Sequence, residues 1–302
     1  METREPVRRA SEIEEITNLY LIHPASSFLT PRFARLGITP NAVSLAGMAF
    51  GIAAGLAYCH YRDPRWAVVG FVLMIAWHVM DGADGQLARL TNAQSELGKI
   101  LDGICDYVTF IAVYSALAAA ISRDIGAWSW GLAAAAGLCH AVQSAAYEAQ
   151  RQEYSFWGLG RESAEPLPAG TGDGAAPAQL EQLHRLYVRA QRLVSGHVIE
   201  FRSRLADAMA KAGPDRVSAI RARYRQIFAP AVRRWSILSA NSRTIGIFIG
   251  AVFGRPQYYF IFEIFGFSAI LALLLVHQRS RYRLLFEALP DPNQAALGGR
   301  SV

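Results

Sequence analysis

Long apolar stretches alternate with short polar ones over most of the 302-residue chain. Six of these stretches reach the roughly 20 residues that a helix needs to cross the hydrocarbon core of a bilayer. We place them at residues 42–61, 66–88, 97–121, 126–148, 235–254 and 257–277. Because lipid offers no partner to unpaired backbone groups, such stretches form helices and not open sheets. The pattern therefore predicts an all-α, polytopic integral membrane protein with six transmembrane helices.

Two polar segments interrupt this pattern. Residues 11–23 place Ile13, Ile16 and Tyr20 at helical spacing opposite Glu14 and Glu15, which predicts an N-terminal amphipathic helix lying on the membrane surface. Between the fourth and fifth stretches, residues rich in Gly, Pro and Ala are typical of a flexible linker, and helices follow, one of them over 215–228. The predicted divisions are an interfacial segment 1–40, transmembrane helices in 41–150, a cytoplasmic insertion 151–233, transmembrane helices in 234–280 and a tail 281–302.

Composition and charge support a membrane protein and indicate its orientation. The chain is 52% hydrophobic and 18% charged with a net charge of +6, which disfavours an ordinary soluble enzyme. In so apolar a chain, basic residues indicate loops that face anionic lipid, and we expect no nucleic-acid partner. With the N-terminus inside, the outer loops hold few arginines, so both termini are predicted to be cytoplasmic. The predicted location is the cytoplasmic (inner) membrane of a bacterium.

Two predicted spans contain a glycine at every fourth position. Gly47, Gly51 and Gly55 share one face of the first span, and the fifth span repeats the pattern from Gly246 to Gly254. Glycine at this spacing lets helices approach closely in lipid. The pattern favours packing within the chain, and a homodimer interface is the alternative.

Four aspartates lie within 26 residues, where the second span ends and the third begins. Asp81 and Asp84 are three residues apart, and Asp102 and Asp106 are four apart, so each pair occupies one helix face. Two facing helices would bring the four carboxylates together. Such charges at a membrane edge are costly unless they are paired, hydrated or bound to metal. Carboxylate oxygens suit Mg²⁺ or Mn²⁺, so the spacing predicts a divalent-metal site.

Small residues and an arginine stand between the two aspartate pairs. Gly85, Ala88 and Gly98 leave space for a ligand near the backbone, and Arg89 offers a planar fork to phosphate. Metal, arginine and small residues together indicate a diphosphate site, where metal would stabilise a nucleoside monophosphate leaving group. The alternative, in which the aspartates only cap helices, accounts poorly for four of them at this spacing.

These residues resemble the signature of the CDP-alcohol phosphatidyltransferases, D-x2-D-G-x2-A-R-x8-G-x3-D-x3-D. All eight fixed positions and every gap match, at Asp81, Asp84, Gly85, Ala88, Arg89, Gly98, Asp102 and Asp106. The layout of an amphipathic helix and six spans is similar too, so the resemblance covers about 1–150 and 235–277. The 150–234 insertion is longer than is usual in the family.

The resemblance implies a role for each signature residue. The four aspartates would hold two divalent ions, usually Mg²⁺ with Mn²⁺ as a substitute, and the other four residues would contact the CDP moiety. Residues 38–44, ITPNAVS, resemble the stretch that enters the first span, which adds Asn41 and Ser44 to the nucleotide pocket. Asp106 resembles the general base that takes the proton from the acceptor hydroxyl. That hydroxyl would attack the β-phosphorus, and CMP would leave.

The acceptor side offers one charged candidate, Arg243, which falls within the fifth predicted span. It would neutralise a substrate phosphate or pair with a motif aspartate, whereas a span that starts one turn later would make it an interfacial arginine. For His78 and His140, a packed and hydrogen-bonded histidine is the favoured interpretation.

The predicted function is a membrane-embedded transferase of phospholipid synthesis that takes a CDP-linked donor and an alcohol acceptor and releases CMP. It transfers a phosphatidyl group to a polar alcohol or, alternatively, a CDP-linked aminoalcohol head group to a lipid alcohol. A prenyltransferase would need a second, distant aspartate motif. A transporter would favour repeat-related broken helices and polar residues at the bilayer midplane.

Overall fold

The computed structural model describes residues 12–161 and 198–288, and over these residues it contains helices and no strand. This confirms the predicted all-α class. The chain divides into two compact units, the first comprising Met1–Ala141 and Ser239–Ser268, the second Val142–Leu238 and Ala269–Val302.

The first unit contains most of the apolar helices. After a π-helical turn, Asn18–Ile22, come α1 (His23–Arg35), α2 (Pro40–Tyr58), α3 (Pro64–Leu90), α4 (Glu96–Ile125) and the start of α5 (Trp128–Leu159). Later in the chain the unit adds α8 (Ala240–Val252), α9 (Pro256–Ile261), a π-helical turn Phe262–Gly266 and the start of α10 (Phe267–Ala288).

The second unit contains the remainder of α5 and α10 together with the helices of the insertion. These are α6 (Val198–Ala210) and α7 (Pro214–Trp235), which is followed by a 3₁₀ turn, Ser236–Leu238. The helix predicted over 215–228 is thereby confirmed. Residues 162–197, with most of the predicted linker and the first predicted insertion helix, lie outside the described residues.

Local sequence signals set the helix starts. Thr39, Asp63 and Ser95 each accept a hydrogen bond from a backbone N–H in the first turn of α2, α3 and α4. Proline occupies the start of α2 and of α3, where its missing N–H costs nothing. These signals explain why the observed starts lie within about two residues of the predicted ones.

Among the described residues, four helical segments are long and apolar enough to cross a membrane: Pro40–Tyr58, Pro64–Thr91, Leu97–Ile125 and Pro256–Glu287. The predicted count of six is not confirmed. The fourth predicted span coincides with part of α5. The fifth was predicted to start at 235, but the chain turns at Ser236–Leu238, which leaves α8 with 13 residues. Large apolar side chains such as Leu56, Val72 and Ile111 are exposed on the outside of the helices, as expected for a lipid-facing surface.

The glycines of α2 are used for packing inside the first unit. A Cβ on Gly51 would overlap the side chain of Thr109, and one on Gly55 would lie 3.0 Å from the carbonyl oxygen of Ala112. Both contacts bring α2 against α4, so the intrachain interpretation of this pattern is confirmed. In α8, a Cβ on Gly246 would lie 3.0 Å from the ring of Tyr259, so it too packs within the unit.

The N-terminal segment differs from its prediction. Residues 12–15 precede the first helical turn, and the glutamates expected to face water, Glu14 and Glu15, are buried. Ile16 and Tyr20 are instead 71% and 80% exposed. The reason is a polar partner inside the unit, since the Asn241 amide donates to Glu15 Oε2 over 2.6 Å. Glu14 and Glu15 therefore face inward together with Ile13, whereas Ile16 and Tyr20 face outward.

Aromatic and polar side chains form the interior of the second unit. The rings of Tyr224 and Phe228 stack with centroids 4.4 Å apart, and Phe201 lies 4.1 Å from Tyr282 by the same measure. Arg202 Nε donates to Glu153 over 2.9 Å. The insertion helices α6 and α7 thus pack within the second unit, which excludes a purely solvated hairpin for this part of the insertion.

Candidate metal and nucleotide site

A short turn places the two aspartate pairs opposite each other. The Thr91 hydroxyl donates to the Leu87 carbonyl oxygen over 2.8 Å where α3 ends. Asn92 then adopts a positive φ of 52°, a conformation that asparagine tolerates better than most residues. Ser95 caps the start of α4 by accepting from the Gly98 N–H over 3.0 Å. The chain reverses within a few residues, so α4 begins beside the end of α3.

Three of the four motif aspartates converge. Asp81, Asp102 and Asp106 each offer a carboxylate oxygen, and these oxygens all lie within 4.8 Å of one another. Each of the three residues is half-buried. Carboxylates held this close repel one another unless a cation or protons intervene.

This donor set suits a hard divalent cation. All three groups are carboxylates, and no Cys or His belongs to the cluster. Oxygen-only ligation is the preference of Mg²⁺ and Mn²⁺, whereas Zn²⁺ favours Cys and His. The residues therefore fit the kind of metal that the sequence predicts.

The fourth aspartate has a separate environment. Asp84 is buried, and its Oδ2 accepts a hydrogen bond from Ser44 Oγ over 2.5 Å. Ser44 was predicted to line the nucleotide pocket, and the structure places its hydroxyl on a motif carboxylate. The bond ties α2 to α3 directly beside the cluster. Ser44 thereby fixes the orientation of the Asp84 side chain.

The predicted CDP-contacting residues lie around the same turn. A Cβ on Gly98 would be 3.5 Å from Asn41 Oδ1, so the start of α2 adjoins the start of α4. A Cβ on Gly85 would be 3.5 Å from the guanidinium of Arg89, which folds back along α3. Ala88 is half-buried one turn after Asp84. The two glycines thus leave room for a ligand beside the Arg89 guanidinium and the Asn41 amide.

One set of contacts was not predicted from the sequence, namely those that hold α1 against the motif. The Ser26 hydroxyl donates to the Val79 carbonyl oxygen over 2.7 Å, and a Cβ on Gly82 would lie 2.6 Å from the same hydroxyl. Ser27 donates to the Gln86 side-chain oxygen over 3.1 Å. Gly82 and Gln86 occupy variable positions of the signature, so the motif alone could not reveal them. The adjacent hydroxyl residues Ser26 and Ser27 of α1 were the available signal.

Arg243 is buried within the first unit. Arg243 and Glu263 are both 0% exposed, and Arg243 Nε donates to Glu263 Oε1 over 3.1 Å. Tyr259 also donates to this glutamate, over 2.7 Å. The guanidinium is thus enclosed and paired inside the first unit, in the first turn of α8. A contact between Arg243 and an acceptor stays a prediction.

The two histidines behave as structural residues. The His78 ring hydrogen-bonds the Thr244 hydroxyl over 2.9 Å, and the residue is buried. His140 packs edge-to-face on Phe110 with ring centroids 4.4 Å apart. The predicted packing is confirmed for both.

Comparison with known proteins adds independent information. Residues 37–175 match the family model described as CDP-alcohol phosphatidyltransferase. The chain is 27% identical to a CDP-diacylglycerol–serine O-phosphatidyltransferase of Mycobacterium bovis, over 47% of this chain and 48% of that protein. It is 29% identical to the human Cholinephosphotransferase 1, over 31% of this chain and 24% of that protein. It is also 29% identical to Ethanolaminephosphotransferase 1 of Pongo abelii, over 32% and 29%.

In each case the chain spans about half or less of the length of the relative. The matched family region, 37–175, contains α2, α3 and α4 with the converging aspartates and all eight signature positions. Over this region, somewhat less than half of its length, the chain is similar to the CDP-alcohol phosphatidyltransferase family.

Proposed function

We propose that the chain is a membrane-embedded CDP-alcohol phosphotransferase of phospholipid synthesis. It transfers a phosphatidyl or other substituted phosphate group from a CDP-linked donor to an alcohol and releases CMP. The observation that carries the proposal is the convergence of Asp81, Asp102 and Asp106 inside the region that matches the family.

The metal ligands in this proposal are the four motif aspartates, which hold two divalent ions, Mg²⁺ or Mn²⁺. In support, oxygens of three of the carboxylates lie within 4.8 Å of one another, and Asp84 accepts a hydrogen bond from Ser44. Bound metal supplies charge neutralisation for the diphosphate and the departing CMP. The nucleotide side consists of Gly85, Ala88, Arg89 and Gly98, with Asn41 adjoining Gly98.

The transfer step is a displacement at phosphorus in which Asp106 acts as the general base. As the acceptor hydroxyl oxygen forms a bond to the β-phosphorus of the donor, its proton passes to the Asp106 carboxylate. The bond from that phosphorus to the oxygen of CMP breaks, and CMP departs with the electron pair. Arg89, whose guanidinium lies over Gly85, is placed to neutralise phosphate charge during the displacement.

The donor class that we favour is CDP-diacylglycerol, which gives its phosphatidyl group to a polar alcohol. The match to a CDP-diacylglycerol–serine O-phosphatidyltransferase extends over 47% of this chain, against 31% and 32% for the aminoalcohol phosphotransferases. The second candidate is transfer of a CDP-linked head group to a lipid alcohol, which those two relatives favour.

We further propose six membrane crossings. The two that add to the four long apolar segments are α5, which is less apolar than those segments, and α8, which is shorter. The aspartate end of α3 and both termini then face the cytoplasm, on the side with most of the arginines. In a bacterium this places the site at the inner face of the cytoplasmic membrane, where both a lipid donor and a soluble acceptor are accessible.

Release of CMP by the purified full-length protein tests the proposal. CDP-diacylglycerol, CDP-choline and CDP-ethanolamine are each offered with serine, inositol phosphate, glycerol phosphate or diacylglycerol, in Mg²⁺-containing micelles. We expect one donor–acceptor pair to give CMP, with Asp106→Asn inactive and Asp207→Asn active. Asp207 is an exposed aspartate of α6 and controls for the loss of a surface charge. No CMP from any pair under these conditions would count against the proposed activity.

A further inference from the structure

Two arginines of the second unit converge on one histidine nitrogen. An Arg234 guanidinium nitrogen, at the end of α7, lies 3.1 Å from His277 Nε2. A guanidinium nitrogen of Arg281, on α10, lies 3.2 Å from the same Nε2. Since arginine only donates hydrogen bonds, Nε2 is the acceptor in both contacts. None of the three residues belongs to the signature.

This arrangement leaves two positive charges without a carboxylate. Within the described part of the chain, neither Arg234 nor Arg281 forms an ion pair, and both contacts with His277 are solvent-exposed. His277 Nε2 has one lone pair with which to accept, whereas each guanidinium has five N–H donors. Two like charges held this close are stabilised by an anion that accepts from both, and guanidinium matches the geometry of phosphate.

The position of the cluster along α10 indicates where that anion would come from. His277 directly follows the apolar run of α10, whose Leu273 and Val276 are exposed. On the α7 side, Ile237 is exposed just after Arg234. The arginines thus lie where a lipid-facing apolar surface gives way to polar residues. In a bilayer this is the level of the headgroup phosphates.

We propose that Arg234, His277 and Arg281 form a binding site for the headgroup phosphate of an anionic membrane phospholipid. The two guanidiniums donate to the phosphate oxygens, and His277 holds their side chains in position. The apolar residues one turn deeper on α10 lie alongside the acyl chains. Binding is non-covalent, and it depends on the membrane location of the chain and not on its enzymatic activity.

Lipid retention by the intact protein tests this site. The full-length chain, delipidated in a neutral detergent, is titrated with phosphatidylglycerol or phosphatidylcholine, and bound lipid is counted by native mass spectrometry. The variant is Arg234→Gln with Arg281→Gln. The control, Arg216→Gln with Arg223→Gln, removes the same charge from exposed positions of α7. We expect the first pair to weaken phosphatidylglycerol binding about tenfold or more and the control less than about twofold, with phosphatidylcholine bound weakly by all.

A separate arm distinguishes a lipid from free phosphate. Inorganic phosphate is added to the wild-type complex, and we expect it to displace phosphatidylglycerol only at concentrations where sulfate does so too. Displacement by inorganic phosphate at much lower concentration than sulfate would overturn the lipid assignment. An equal loss of lipid from both double variants would also overturn the proposal, because it would mean that only overall charge matters. If the double variant does not fold, the single change Arg281→Gln decides, with a loss of at least about threefold expected.

Discussion

Gly82 is the point at which α1 rests on the aspartate-bearing end of α3. A Cβ added there would lie 2.6 Å from the Ser26 hydroxyl, which itself donates to the Val79 carbonyl oxygen. Gly103, between the aspartates of α4, is a matched control, because a Cβ there would meet nothing within 4 Å. Each glycine follows a motif aspartate directly. The changes Gly82→Ala and Gly103→Ala therefore differ mainly in what the new methyl group meets.

The expected magnitudes follow from these contacts. Alanine in place of glycine inside a helix stabilises by about 0.5–1 kcal/mol, and Gly103→Ala should show this gain. At Gly82 the same gain is opposed by overpacking, which costs about 1–3 kcal/mol, and by loss of the Ser26 hydrogen bond, about 1 kcal/mol. We expect Gly82→Ala to lower the free energy of unfolding by about 1–3.5 kcal/mol.

Two measurements and a rescue test this reasoning. Unfolding in mixed micelles gives the stability difference, and a Mg²⁺ titration of CMP release should show weaker metal activation for Gly82→Ala because Asp81 is displaced. In that variant, Ser26→Ala removes the overlapping oxygen and leaves Ile22 and the Cβ of residue 26 at 3.4 Å, an ordinary contact. At least half of the lost stability should return. Equal stability of the two glycine variants, or no recovery with Ser26→Ala, would refute the packing of α1 on the motif.

Four further outcomes are expected. Asp106→Asn should reduce turnover about 10²–10⁴-fold and keep binding of the CDP donor, as measured by CMP release and equilibrium binding; a rate above about a tenth of wild type would contradict its role as base. EDTA should abolish activity and Mg²⁺ or Mn²⁺ should restore it, whereas activity of fully metal-stripped protein would contradict the two-metal proposal. Glu263→Gln should destabilise by about 3–5 kcal/mol because it removes the carboxylate charge that pairs with the buried Arg243 guanidinium, and an unchanged unfolding transition would contradict that pairing. A cysteine at Thr91 should react with a membrane-impermeant label only from the inner face, and labelling of intact cells would invert the proposed topology.

Much of the helical framework could be predicted because the signals are local. Apolar runs of spanning length, with Thr39 and Asp63 as caps and proline just behind each, define α2 and α3 without any knowledge of tertiary contacts. The convergence of the aspartates was predictable for a similar reason. Spacings of three and four residues fix one helix face, and a short turn between two helices leaves few ways to arrange them.

The polarity of the N-terminal segment could not be predicted from its own residues. Periodicity separates the apolar from the acidic side but does not say which side faces the protein. In the structure Asn241 decides this, because it donates to Glu15, Thr17 and Asn18 from 223 or more residues away in sequence. A buried glutamate needs such a hydrogen-bond donor, and the hydropathy of the N-terminal segment does not reveal a donor so distant in sequence.

The same limit applies to the fifth span and to Arg243. The residues Ile237 and Leu238 in the turn between α7 and α8 are apolar, so hydropathy does not drop there and does not mark the turn. Ser239, which caps α8, was the only local sign of the true start. Arg243 could be recognised as unusual, but its partner Glu263 is on another element, and only the folded chain brings the two together.

Small hydroxyl residues connect the motif to its supports in a way that suits a membrane interior. Ser44 holds Asp84 from α2, Ser26 holds the Val79 carbonyl from α1, and Ser95 caps the helix that bears Asp102. A serine can satisfy a polar group while it lets two helices approach closely, which longer polar side chains would prevent. The carboxylates of the signature provide the chemistry, but their relative positions depend on these short contacts from neighbouring elements. Residues outside the signature should therefore affect metal activation as strongly as some within it, and the Gly82 and Ser26 variants measure this directly.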